Sequence, residues 1–222
     1  MLNFIIGSCI ASFCSCLAER LLINENLFTR SHCATCHHQL AWYNLIPIIS
    51  YCLQNGLCPY CQTKIPKHLI LVEIFGGLSL MLFAHQMMLL WLLFSFIFLS
   101  VQDYLTQTIN IWLAWLTCLI SLLQLNYHPQ TAWLFWSLST FCLSSLLFLF
   151  IKQQWLGSGD FPIILTLWFS LSLKDFSLCL MIASCCAILV LFFFKLKVIP
   201  LIPFLTLGYW LVNILPQVIN PQ

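Results

Sequence analysis

Charge is what this chain has least of. Asp, Glu, Lys and Arg make up 6% of its 222 residues, where a soluble domain carries about a quarter. A water-soluble globular fold is excluded. So is a nucleic-acid partner, because 8 basic residues spread along the chain cannot form a patch. The first apolar run has no basic residue ahead of it and no convincing cleavage site, which predicts a retained helix rather than a removed signal peptide. Glycine is scarce too, at 7 residues, and no glycine-rich cofactor loop is recognisable. No internal repeat or low-complexity tract stands out.

What is abundant is apolar surface: 62% of the residues are hydrophobic, with 19 Phe and 9 Trp. A membrane-spanning helix needs about 20 such residues, fewer when short or tilted. Apolar runs predict spans near 2–21, 69–85, 87–103, 108–126, 131–151, 160–173, 176–194 and 198–215. The fold class is therefore all-α, a polytopic transmembrane bundle of about eight spans. Basic residues orient it. With the N-terminus outside, Arg20, Arg30, Lys64, Lys67, Lys152, Lys195 and Lys197 fall on the cytoplasmic side and only Lys174 falls outside. Asp103, ending the third span, and Asp160, opening the sixth, then share the cytoplasmic face.

Residues 22–68 are the one sizeable segment outside the membrane, which divides the chain into a first helix (1–21), a cytoplasmic domain (22–68) and a helical bundle (69–222). Nine of the 13 Cys sit in apolar runs and behave as small hydrophobes. The other four form Cys33-Ala34-Thr35-Cys36 and Cys58-Pro59-Tyr60-Cys61. Two CxxC knuckles are what a tetrahedral four-thiolate zinc site requires, each pair gripping one edge of the ion. The competing readings are two disulfides, disfavoured in the cytoplasm, or four free thiols. His32, His37 and His38 flank the first knuckle. Four thiolates leave no open position for water, so such a site is structural and the chemistry lies elsewhere.

That chemistry points to Leu156-Gly157-Ser158-Gly159-Asp160-Phe161-Pro162, which places a carboxylate between two apolar runs. Carboxylates at membrane depth are expensive and mark functional sites. Gly157 and Gly159 let the backbone leave helical geometry and let another chain come close. The bland alternative is that Asp160 N-caps the next helix. Glu19-Arg20, ending the first span, reads as an interfacial pair, and Glu73, one turn into the second, is a more costly and more suggestive carboxylate.

Together these stretches resemble the prepilin leader peptidases, polytopic membrane aspartic proteases of the GxGD type. Gly7-Ser8, Ser12-Phe13 and Glu19-Arg20 are similar to the family's first helix. Arg30 through Cys36, Trp42 through Tyr51 and Gly56 through Cys61 are similar to its cytoplasmic domain. Glu73 matches a glutamate opening the next helix, Gln102-Asp103-Tyr104 the first catalytic aspartate, and Gly157-Ser158-Gly159-Asp160 the GxGD motif. Two departures stand out: Ile109-Asn110-Ile111 where the family has Ile-Pro-Asp or similar, and Pro162-Ile163 where it has a basic residue.

The resemblance implies that Asp103 and Asp160 cleave the leader of a pilin-like, pseudopilin-like or competence protein at the cytoplasmic membrane face. Such substrates carry a short basic leader, a glycine before the cut and an apolar helix after it. Gly157 and Gly159 are expected to admit the substrate backbone. Many relatives also methylate the new N-terminus with S-adenosylmethionine, for which Glu19, Arg20 and Glu73 are the candidates. Two other functions fit part of the pattern: a transporter with an aspartate proton relay, and a scaffold with a zinc-binding head.

Overall fold

A computed structural model of the chain describes residues 1–27, 29–122, 157, 159–194 and 199–219, with positions 140, 143–145, 148 and 152. The predicted span 131–151, together with Lys195 and Lys197, lies almost wholly outside the described residues. Among the described residues the regular elements are helical and no strand occurs. The helices are α1 (Leu2–Leu22), α2 (Ile49–Leu53), α3 (Lys67–Leu82), α4 (Met87–Thr106), α5 (Ile111–Leu122), α6 (Asp160–Ser170), α7 (Leu173–Phe194) and α8 (Ile202–Ile219). A 3-10 turn covers Trp42–Leu45. Every predicted run except 131–151 coincides with one of these helices. Helices α1, α4 and α7 are long and apolar enough to cross a bilayer, and α5, α6 and α8 are shorter apolar helices. With its three exposed phenylalanines Phe192, Phe193 and Phe194, α7 ends as a helix made to face lipid rather than water.

Local chemistry sets the helix ends. Pro66 precedes α3, and its fixed φ suits the entry to a helix. Asn110 accepts the Leu113 N–H at 3.3 Å and so caps α5. The Ser172 hydroxyl donates to Asp175 at 2.7 Å while accepting the Asp175 N–H at 3.3 Å, a reciprocal cap on α7.

The chain forms two compact units, Met1–Gln102 and Asp103–Gln222. In the first, α1 lies directly against α3. The contact is possible because small residues face each other: a methyl group on Gly76 would overlap the Ala11 Cβ, and one on Gly77 would meet Phe4 at 2.7 Å. Close helix approach through small residues is how membrane helices gain packing when lipid offers no hydrophobic drive. In the second unit α5 packs on α6, α7 packs on α8, and α6 touches both α7 and α8. Its core holds Ile163, Leu167, Cys179, Ile202 and Tyr209, all nearly inaccessible, with Trp168 edge-on to Phe176 at 5.1 Å.

Candidate functional site: two aspartates and a four-cysteine cluster

Asp103 lies near the C-terminal end of α4 and is buried. One of its oxygens, Oδ2, accepts the backbone N–H of Ile202, 99 residues away at the start of α8, at 2.9 Å. Asp160 opens α6 and is half-buried. The two carboxyl groups are close enough for their charges to act on each other. The structure therefore places the two aspartates singled out in the sequence in one unit, within electrostatic range of each other. It adds a third participant, the Ile202 N–H, which no sequence signal announces.

The cap reading of Asp160 fails on geometry. Gly159 occupies the N-cap position with φ −76° and ψ −27°, and has no side chain to cap the helix. Asp160 is the first helical residue, where a carboxylate is favoured by the helix dipole and its side chain is free of cap duty. Its own N–H donates to the Gly157 carbonyl at 3.1 Å, closing the turn. The two glycines differ in what they face. A Cβ on Gly157 would stand 3.1 Å from Asp160 Oδ2, so glycine keeps that side of the carboxylate open. A Cβ on Gly159 would stand 2.6 Å from Ile109 Cγ1, so this glycine makes room for the loop between α4 and α5. Ile109, which opens the stretch that departs from the family pattern at its next two residues, is thus the neighbour of the motif's second glycine.

The four cysteines gather at the other site. Sγ atoms of Cys33, Cys36, Cys58 and Cys61 all lie within 4.8 Å of one another, with Cys33 and Cys61 at 3.7 Å. Tetrahedral thiolate coordination with metal–sulfur bonds near 2.3 Å calls for sulfurs roughly 3.8 Å apart, so the cluster could hold a metal such as zinc. A shift of 25 residues carries one knuckle onto the other. Cys33 N–H donates to His38 O and Cys58 N–H to Thr63 O; His37 N–H returns to Cys33 O and Gln62 N–H to Cys58 O. His37 and Gln62 both take positive φ, 54° and 57°, one residue past each CxxC. Bridges between His32 and Gln39 and between Leu57 and Lys64 close the two turns. The two knuckles are a local structural repeat that sequence comparison misses, because only the cysteines recur.

The His38 ring lies 3.7 Å from that of Tyr60, tying the knuckles together. Backbone N–H groups of Cys36 and Thr35 hold the Cys33 thiol down at about 6. The hydroxyl and N–H of Thr63 likewise lower Cys61. Cys36 is pushed up to about 11, the His38 N–H being outweighed by burial and by Cys61 and Cys33. Crowded sulfurs without a cation split this way, and a divalent ion among them deprotonates the set.

Glu19, Arg20 and Glu73 have partners of their own within the first unit. Glu19 Oε1 pairs with His68 Nε2 at 3.1 Å. Buried Arg20 donates to the carbonyls of Leu27 and Thr29 at 2.9 and 2.7 Å. Glu73 accepts the Ser12 hydroxyl at 2.8 Å and the Ile48 N–H at 2.7 Å, one on each oxygen. Arg20 and Glu73 fasten the loop between α1 and α3 to those helices, and Glu19 joins α1 to α3 directly.

Known proteins were compared with the chain. A sequence model described as the bacterial peptidase A24 N-terminal domain matches residues 5–87. A prepilin leader peptidase/N-methyltransferase of Myxococcus xanthus (strain DK1622) is 34% identical over 76 residues, 34% of this chain and 23% of the relative. Its counterpart in Vibrio cholerae serotype O1 is 32% identical over 63 residues, 26% of this chain and 25% of that protein. The match to the Neisseria gonorrhoeae enzyme of the same name is longer, 29% identity over 160 residues, covering 64% of this chain and 55% of the relative. The chain thus spans about a quarter of the first two curated relatives. No solved structure matches it. Residues 5–87 are thus similar to an A24 N-terminal domain, and the chain is similar to prepilin leader peptidases.

Proposed function

We propose that the chain is an aspartic endopeptidase of the membrane that removes the leader from a prepilin-like protein at the cytoplasmic face. One observation carries the reading: Asp103 and Asp160, from separate apolar helices, come within range of each other's charge while the cap role of Asp160 is taken by Gly159. Two carboxylates in one small space hold a single proton between them. The ionised partner takes a proton from a water as that water attacks the scissile carbonyl. The protonated partner donates to the carbonyl oxygen; the intermediate collapses as the carboxyl that took the water's proton gives it to the amide nitrogen and the other recovers its own from the hydroxyl. The Ile202 N–H fixes one oxygen of Asp103 and so steers its other oxygen toward the reaction. Gly157 leaves the Asp160 carboxyl approachable by an extended substrate strand.

The four thiolates hold zinc as a structural ion that closes the domain at 22–68, and no reaction step runs through it. First helix, zinc domain and catalytic bundle divide at residues 21 and 68. The relatives' names also include N-methyltransferase, whose methyl donor is S-adenosylmethionine. Glu19, Arg20 and Glu73 stay the candidates for that second activity, each with a partner within the chain. The purified protein in lipid should convert a prepilin-like substrate into leader and mature helix, read by mass spectrometry. Intact substrate after prolonged incubation with folded, metal-loaded protein would remove the peptidase reading and favour a relay or scaffold.

A further inference from the structure

We propose that residues 42–53 are a re-entrant segment lying in the lipid of the membrane face, so that the four-cysteine domain is seated in the bilayer surface. The inference does not depend on the peptidase reading. Its starting point is Glu73, whose two oxygens bond Ser12 of α1 and the Ile48 N–H. Ser12 is the middle of a helix long and apolar enough to span a bilayer. The polar layer that marks the end of the span is Glu19 bonded to His68. From Glu19 to Ser12 is seven residues, about 10 Å of helix at ~1.5 Å per residue. The chain therefore leaves the membrane end of α1, builds the first knuckle, and returns to a level about 10 Å below that layer.

The returning segment is made for such a place. No charged residue occurs from Gln39 to Thr63, while Arg30, Lys64 and Lys67 stand outside it where they can reach headgroups. Trp42 and Leu53 are each 78% exposed, with Tyr43, Leu45 and Ile49 beside them at 44–55%. On the neighbouring α3, which packs on α1, Leu71 and Ile74 flank Glu73 and are exposed as well, so the apolar surface continues onto that helix. Tryptophan and tyrosine at one level are the usual markers of the bilayer interface.

Backbone in lipid must be satisfied from within. Here it is. Ile49 N–H donates to Pro47 O at 2.6 Å, Ser50 N–H to Ile46 O and Cys52 N–H to Ile48 O, both at 3.0 Å, while Pro47 has no N–H to satisfy. Gln54 Nε2 donates to Asn44 Oδ1 at 2.8 Å. Ile48 itself takes φ 62° and ψ −51°, a tight turn that a β-branched residue rarely adopts. Glu73 holds it there by its N–H.

Carbene footprinting of the intact, zinc-loaded protein tests this. The protein would be placed in nanodiscs of phosphatidylethanolamine and phosphatidylglycerol and labelled with a lipid-phase or a water-soluble diazirine. The peptide covering 42–53 should take lipid-phase label as strongly as exposed residues of α1, and several-fold more than the knuckle at 56–64. The water-soluble reagent should show the reverse. Leu53→Asp, which changes an exposed side chain and leaves the metal count intact, should lower lipid labelling of this peptide. Strong aqueous labelling of 42–53 would mean that α1 rises out of the membrane, and would overturn the proposal. Protection from both reagents would mean a protein cover, a second copy or a substrate, and would overturn it too.

Discussion

In the unit Met1–Gln102 the four thiols come from two short knuckles, each closed by its own backbone bonds, whereas in Asp103–Gln222 the carboxylates come from separate helices and one is held by a backbone group 99 residues away. The first arrangement is local and periodic, so a metal can assemble it. The second exists only when several apolar helices have already packed. A site of the first kind survives poor tertiary packing but not loss of its ion. A site of the second kind tolerates loss of the ion but not a shift of a helix end.

The largest expected effect falls on the dyad. Asp103→Asn or Asp160→Asn keeps size and removes the titratable group. Leader cleavage should drop by at least about a hundredfold, the scale of one general acid or base. Membrane insertion and metal content should be unchanged. Normal processing by either variant would take that aspartate out of the mechanism.

Next is Cys36→Ser. In a small domain metal binding is folding free energy. Zinc should fall from about one per chain, and limited proteolysis should cut within 22–68 while the helices stay protected. Full zinc content in the variant would break the contrast between the two sites.

A smaller effect tests the tether within the first unit. Glu73→Ala leaves the Ile48 N–H without its acceptor, at a cost of about 1.5–3 kcal/mol for a bond to a charged group. The loop 42–53 should then exchange amide hydrogens faster, with zinc retained. Unchanged exchange would mean that Glu73 does not hold the turn.

The smallest effect is the most specific. Gly159→Val should slow cleavage because its side chain meets Ile109, at about 1–3 kcal/mol for overpacking. Ile109→Ala in the same chain should restore part of the rate. Absence of rescue would point instead to a backbone requirement at Gly159, such as direct approach of the substrate.

How much of this could be read beforehand follows from the same contrast. The CxxC spacing and the carboxylates flanked by apolar runs are sequence signals, because coordination and desolvation demand particular residue types. Apolar length likewise marks where α1, α4 and α7 lie, to within a few residues at their ends. The Ile202 N–H on Asp103 is a tertiary contact through a backbone group, so no side-chain identity announces it. Ile48 at positive φ runs against its own propensity, and only Glu73 and the packing of α1 on α3 make it legible. Asp160 looked equally like a cap, since Asp before Phe-Pro is a common cap pattern. The helix starts one residue too early for that.

The central claim is that Asp103 and Asp160 work as one unit, and a double-mutant cycle tests it most directly. Wild type, Asp103→Asn, Asp160→Asn and the double variant would be compared at matched expression for cleavage of a co-expressed prepilin-like substrate. Residues acting together are grossly non-additive. The account predicts strong loss in each single variant and no further loss in the double. Independent losses that multiply in the double variant, or near-normal cleavage by Asp160→Asn, would contradict it.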